Sequence, residues 1–278
     1  MELSSDVVKR VVAAALAEDV GDGDINAALI TENQLADARI VTRSPGIFCG
    51  VPWMEETCRQ VDPLIELDWL VADGDSIEPD AVLLRLRGPA PKLLTAERTM
   101  INFAQLLSGT ATDARRYVDA VAHTDAIILD TRKTIPGLRE AQKYAVAKGG
   151  AQNHRMGLFD AYLIKENHIA AAGSISQAVA RARADHPEKR LEVEVETEAQ
   201  LIESIEAGVD MILLDNHSVD ELRNAVAVNA GRVKLEASGG ITFETVVAVA
   251  ETGVDYISIG AITKDVHPLD LSMLLETR

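Results

Sequence analysis

The chain has 278 residues, 47% of them apolar but only 4% aromatic, and carries 44 acidic against 27 basic side chains for a net charge of −17. That length and composition point to a globular α/β protein, with two modest domains expected rather than one large one. The acidic balance argues against nucleic acid or an anionic membrane as partner, and the lack of a long apolar run or an apolar leader argues against a membrane span or export, so the expected location is the cytoplasm.

Residues 5–19 place Val7, Val8, Val11, Val12, Ala15 and Leu16 on one helical face, with Ser4 or Ser5 before it and Gly21 after it, the pattern of an amphipathic helix. From about 36 to 88 the runs ARIVTR, LDWLVA and AVLLRLRG, separated by SPG, DGD and GPAP, read as strands of a small sheet. Cys49 and Cys58 stand in no metal or redox spacing and read as ordinary thiols of a reducing compartment. GPAPK then ends the sheet, and a helix is expected from about Thr95 to Leu107 with Gly109 near its C-terminal cap.

After Gly109 the pattern becomes strand–helix–strand. The strand candidates are AIILDT, AYLIK, LEVEVE, MILLDN, VKLEAS and YISIG, with helical patterns such as EAQLIESIEAG and VDELRNAVAVNAG between most of them; this alternation implies a parallel sheet. Two features favour a barrel over an open sheet. In LEVEVE and VKLEAS one face is apolar and the other carries Glu192, Glu194, Glu196, Lys234, Glu236 and Ser238, whereas a parallel strand buried on both faces normally reads as a continuous apolar run. The simple arrangement puts the charges into a barrel interior or its mouth; a solvated edge strand is the ordinary alternative. The second feature is a repeat, EAGVDMILLDN and ETGVDYISIGA, which sets Asp215 opposite Gly260 at strand C-termini, the face on which barrel enzymes carry their sites.

That rim collects chemistry. Arg132, Lys133, His154, Arg155 and Lys165, with Arg139, Lys143 and Lys148 nearby, form the largest basic concentration in an acidic chain; a solvated helix face is the ordinary alternative for the last three, and His168 reads as structural. Arginine forks suit carboxylates and phosphates, and lysine supplies a point charge. SGGITFET reads as a strand end, two glycines and a helix start, and IGAIT supplies a second close-approach glycine, a pairing suited to a phosphate. Glu194 and Asp215 can accept hydrogen bonds from sugar hydroxyls or help to hold Mg²⁺. The residues alone therefore ask for a ligand with a phosphate, a polyol and further negative charge.

EDVGDGD, LLTAER, DTRKTIPGLR, KYAVAKGGAQNHRMGLFDAYLIKENH, EVEVET, ILLDN, LEASGGI and GVDYISIGA, spread nearly end to end, resemble the quinolinate phosphoribosyltransferase family. The resemblance implies an N-terminal α/β sandwich domain over residues 1–108, with 265–278 a candidate to pack back on it, and a catalytic incomplete seven-stranded α/β barrel over 109–264. One of its seven strands has no counterpart among the six candidates. It also implies transfer of phosphoribosyl from phosphoribosyl pyrophosphate (PRPP) to quinolinate with decarboxylation, a step of NAD biosynthesis. Catalysis then rests on Lys133, Lys165, Glu194 and Asp215, with Mg²⁺ and no organic cofactor. Carried onto this sequence, Arg132, His154, Arg155 and Lys165 surround the quinolinate carboxylates. Arg98 enters from a neighbouring subunit of a homodimer or dimer-based hexamer. Lys133 lies near the pyrophosphate, Glu194 and Asp215 bind ribose and Mg²⁺, and Ser238, Gly239, Gly240, Gly260 and Ala261 cradle the 5′-phosphate. Ile135, Asn26 and Glu166 depart from the usual family residues without removing a ligand.

Three rivals remain at this stage. A paralogue of the same fold acts on another substrate, a Schiff-base aldolase uses Lys165 or Lys133 as nucleophile, and a sensor binds PRPP without turnover.

Overall fold

The structure, a computed structural model, describes residues 3–32 and 34–277. In chain order the elements are α1 (Ser5–Val20), β1 (Leu35–Thr42), β2 (Gly46–Ile47), α2 (Val51–Val61), β3 (Glu66–Trp69), β4 (Ser76–Ile77), β5 (Val82–Pro89), α3 (Ala90–Val121) and β6 (Ile127–Leu129). There follow α4 (Arg139–Lys148), β7 (Ala161–Ile164), α5 (Glu166–Ala172), α6 (Ile175–Asp185), β8 (Arg190–Val195), α7 (Glu198–Glu206), β9 (Met211–Asp215) and α8 (Val219–Asn229). The last are β10 (Lys234–Ser238), α9 (Val246–Ala250), β11 (Tyr256–Ser258), α10 (Ala261–Lys264) and β12 (Leu271–Thr277). The chain forms two compact units, residues 1–115 with 135–150 and 265–278, and residues 116–134 with 151–264.

In the first unit an antiparallel sheet runs β12-β1-β5-β3. β1 alternates strictly, turning Ala36, Ala38, Ile40 and Thr42 inward, and its buried face joins Leu84, Leu86, Leu93, Met100 and Ile101 in one core. The expected first helix is present as α1, with Val8 and Val12 buried and Gly21 at φ 55 just past its end; Ser4 occupies the N-cap without a capping side-chain bond. Two expectations are corrected. Residues 51–61, inside the stretch read as strands, form α2, which starts after Gly50 (φ 141) with Pro52 in its first turn and buries Trp53, Met54, Thr57 and Cys58. The helix expected from Thr95 to Leu107 runs from Ala90 to Val121. Pro91 falls in its first turn, where a missing N–H costs nothing, so GPAPK starts the helix as well as ending the sheet. Gly109 lies inside α3, because an added methyl group would press on the His267 carbonyl and come within 3.2 Å of Pro268 Cα.

The second unit is an incomplete α/β barrel whose parallel strands run β6-β11-β10-β9-β8-β7. Residues 151–153 supply the position beside β6 that no periodic pattern marked: Gln152 bridges Leu129 in parallel, its N–H donates to Ile128 O at 2.9 Å and its carbonyl accepts from Asp130 N at 3.1 Å. The repeated Gly-Val-Asp has a physical cause. Gly208 and Gly253 both have left-handed φ (72° and 91°), and each following aspartate accepts from a backbone N–H of the adjacent strand, Asp210 from Leu191 at 2.7 Å and Asp255 from Leu235 at 2.9 Å. Capping boxes at Thr197/Gln200 and Ser218/Glu221 start α7 and α8 promptly after β8 and β9, which leaves Glu194 and Asp215 at the strand ends.

Candidate active site

The charged face of the barrel strands is graded. Glu192 is wholly buried, Glu194 half-buried and Glu196 exposed, and Glu236 on β10 is as buried as Glu192. Since β8 and β10 each have a strand on both sides, this is the barrel interior opening to its rim and not a solvated edge.

At the bottom sits His154. Its backbone N–H donates to Asp130 Oδ1 at 2.9 Å, and Asp130 Oδ2 accepts from Asn153 Nδ2 at 2.6 Å, so the end of β6 holds the segment that carries His154. Its Nε2 lies 3.0 Å from Glu192 and 3.3 Å from Glu236. Burial opposes charge on this imidazole, but the two carboxylates draw its pKa up, to about 9; burial, with Glu236 beside it, pushes Glu192 up to about 7. The Arg155 N–H lies 2.7 Å from Nδ1, a bond open to the neutral ring only, whereas the charged ring directs its Nε2–H to the two carboxylates. The three ligand atoms lie within 4.8 Å of one another, a metal-like spacing. The Nε2 proton, offered to the two carboxylates, would have to leave before a cation could bind there.

Above this lie the cations. Arg132, Arg155 and Lys165 line a groove of about 610 Å³ at the β7 edge, with Arg181 and His168 on its walls. Arg155 donates to Ala161 O at 3.2 Å; burial and then the neighbouring Arg132 lower its pKa, the mark of two guanidiniums held close together. The loop between Arg155 and β7 is fixed by Asp160, which accepts from Met156 N at 2.6 Å and Gly157 N at 2.9 Å. Lys165 Nζ forms an ion pair with Glu194, and His168 Nδ1 accepts the Lys165 N–H at 3.0 Å, the local structural role read for it. Lys143, for which a solvated helix face is the ordinary alternative, is wholly buried in the first unit; its helix α4 turns Ala141, Gln142, Lys143, Ala145 and Val146 inward.

The rim completes the arrangement. Asp215 ends β9 half-buried, paired in register with Ser238 at the end of β10. Gly239 and Gly240 follow with φ 95 and 61. The helix expected directly after them is delayed, since α9 begins only at Val246 and has five residues. What this stretch offers an anion is therefore the turn's own N–H groups and not a helix N-terminus. Phe243 of this loop packs edge-on against Tyr117, 5.6 Å between ring centroids, beneath the Arg116 guanidinium. Gly260 meets Lys133, whose Cδ would lie 2.9 Å from an added methyl, and Thr263 Oγ1 donates to Lys133 O at 2.8 Å. Ala261 starts α10. Lys133, Lys165, Glu194, Asp215, Ser238, Gly239, Gly240, Gly260 and Ala261 thus all belong to the second unit, as do Arg132, His154 and Arg155. Arg98 is an exposed residue of α3 in the first.

Family models described as the N-terminal and C-terminal domains of quinolinate phosphoribosyl transferase match residues 24–108 and 110–274. The chain belongs to the quinolinate phosphoribosyltransferase family. A probable nicotinate-nucleotide pyrophosphorylase [carboxylating] of Bacillus subtilis is 44% identical over 96% of this chain and 92% of its own. A mitochondrial quinolinate phosphoribosyltransferase [decarboxylating] of Nicotiana tabacum is 39% identical over 97% of this chain and 82% of its own. Among solved structures, the nicotinate-nucleotide pyrophosphorylase of Francisella tularensis superposes with a TM-score of 0.97 at 45% identity, covering 99% of this chain and 98% of that one.

Several residues that line this groove or hold its neighbours escaped the sequence reading. Arg181 sits on an ordinary amphipathic helix, and nothing in its spacing points to the groove. Asp130 and Asp160 act through backbone N–H groups, which leave no pattern; Asn216, next to Asp215, carries one signal, a non-glycine residue at φ 56, visible only in the backbone.

Proposed function

We propose that this protein transfers the phosphoribosyl group of PRPP to the ring nitrogen of quinolinate and releases CO₂, giving nicotinate mononucleotide and pyrophosphate. The observation that carries the reading is the gathering of Arg132, Arg155 and Lys165 in one groove of a chain with net charge −17, beside carboxylates and positive-φ glycines at neighbouring strand ends. A pyridine dicarboxylate is a ligand that such a groove neutralises.

The bond from ribose C1 to the pyrophosphate oxygen breaks as the ring nitrogen attacks C1. Arg132 and Arg155 orient the dicarboxylate, Lys133 meets the departing negative charge, and Glu194 and Asp215 hold the ribose hydroxyls as C1 becomes cationic. The Ser238–Gly240 turn with Gly260 and Ala261 anchors the 5′-phosphate. Glu194 and Asp215, half-buried hard oxygen donors on adjacent strands, fit Mg²⁺, which when bound supplies charge to the pyrophosphate. The adjacent C–CO₂⁻ bond then breaks with its electron pair left on the ring carbon, where the neighbouring quaternised nitrogen stabilises it, and a proton takes the place of the carboxylate. Commitment of Lys165 Nζ to Glu194 suits a point charge, not a Schiff-base nucleophile. Arg98 of a neighbouring copy, in a dimer or dimer-based hexamer, completes the quinolinate site. Cys49 and Cys58 are both buried free thiols, in keeping with a reducing compartment such as the cytoplasm; among the described residues no helix is long and apolar enough to cross a membrane.

The test is a mass-resolved product assay with Mg²⁺ and PRPP, offering quinolinate and nicotinate in parallel. Nicotinate mononucleotide from the quinolinate tube alone is expected; no nucleotide from folded protein would favour a paralogue with another substrate.

A further inference from the structure

Asn216 stands between the two halves of the PRPP site. Its backbone is left-handed at φ 56, a region that asparagine enters more readily than other side-chain-bearing residues. Its N–H donates to Ser238 O at 2.9 Å, joining the ends of β9 and β10 one step beyond the Asp215–Ser238 pair. Its side-chain Nδ2 donates to Asp215 Oδ2 at 2.7 Å. The same carboxamide packs against Gly239. A methyl group on Gly239 would lie 2.7 Å from Asn216 Cγ and 2.8 Å from Asn216 N, so this side chain occupies the space that a residue other than glycine would need. His217 Nδ1 adds a contact to Asp215 O at 3.1 Å.

We infer that Asn216 is a positioning residue that ties the Asp215 carboxylate to the Ser238–Gly240 turn, holding the ribose and 5′-phosphate subsites of PRPP in fixed register. The inference rests on the proposed roles of Asp215 and that turn. A free aspartate at a strand end samples several rotamers; here one oxygen is taken by an amide whose other edge is wedged against the phosphate turn. The second carboxylate oxygen is left to face the ribose, and a shift of either subsite is transmitted to the other.

The competing explanation is that asparagine is present only because the backbone needs positive φ. Glycine separates the two, since it adopts that φ freely and has no carboxamide. Asn216→Gly, Asn216→Asp and the control Asp215→Asn are compared with the unaltered protein by steady-state kinetics in each substrate and by calorimetric binding of PRPP. Loss of a hydrogen bond to a charged group predicts that Asn216→Gly raises KM for PRPP and weakens its binding roughly tenfold. Quinolinate KM and the thermal midpoint stay near their starting values. Asn216→Asp, which sets a second carboxylate beside the first, weakens PRPP at least as much. PRPP saturation and binding unchanged in Asn216→Gly, with Asp215→Asn impaired, would overturn the inference alone. Unchanged PRPP binding in Asp215→Asn would overturn the reading of the ribose site, and the inference with it.

Discussion

Replacing Gly109 by alanine sets two effects of opposite sign against each other. In the interior of a helix such as α3 the substitution should stabilise by about 1 kcal/mol through helix propensity alone. The new methyl group, however, would lie 2.9 Å from the His267 carbonyl carbon, closer still to its oxygen, and 3.2 Å from Pro268 Cα. These are backbone atoms and cannot swing aside as a side-chain tip can. Residues 267–269 must move outward, straining the Leu269 N–H to Gln105 O bond of 3.2 Å and lifting Leu269, now 8% exposed, from the core it shares with Ile40 and Leu84. Overpacking of this kind costs about 1–3 kcal/mol and the strained hydrogen bond about 1 kcal/mol, so a net loss of about 1–3 kcal/mol is expected. In a chain of this size that lowers the thermal midpoint by roughly 2–10 °C. Thermal and urea unfolding followed by circular dichroism provide the assay. A Gly109→Ala protein as stable as its parent, or more stable, would refute the close approach and restore propensity as the deciding effect.

Arg98→Ala and Lys165→Ala should each reduce turnover by about 10²-fold or more with unfolding little changed; full activity with unaltered quinolinate saturation removes that residue from the site. Asp160→Asn keeps one carbonyl acceptor for two backbone N–H groups, so the Arg155 loop loosens and quinolinate KM rises while PRPP KM holds, a split that initial-rate measurements read directly. His154 binds its proton more tightly in the folded protein, with a pKa raised from 6.5 to about 9. The stability it lends is full below about pH 6.5 and is lost as pH rises through about 9. Urea midpoints measured across that window should fall in the parent and flatten in His154→Asn; equal slopes would dissociate His154 from the effect.

The sequence disclosed most about groups whose spacing is itself physical. The alternation in LEVEVE revealed an inward charged face because a strand has period 2, and the Gly-Val-Asp repeat revealed strand ends because a left-handed glycine and an aspartate acceptor are both needed there. It disclosed little where tertiary packing overrules local preference. Pro91 looked like a break, yet a first-turn proline begins α3; Gly109 looked like a cap, yet it is small because His267 passes close by. The three residues 151–153 are too few to show periodicity, so the missing barrel position could not be read. Lys143 looked solvated because charge usually is, and only the turn of α4 buries it. The cations gathered in the groove were legible as a cluster, while Asp130, Asp160 and Asn216, which hold neighbouring groups, were not.

The sheet of the first unit has a sequel in how the chain is made. β1 pairs with β5 on one side, and its other edge is taken by β12, Ala36 facing Thr277 and Thr42 facing Leu271. β1 and β5 leave the ribosome well before β12, the strand that covers that edge. At ordinary elongation rates the intervening barrel occupies roughly 10–40 s, during which β1 presents an unpaired backbone edge to any other nascent strand. The newborn protein therefore depends on a strand made well after β1 and β5 to seal that sheet, and a ribosome stalled before β12 would release a chain with its barrel strands complete and its sheet still open to misassembly.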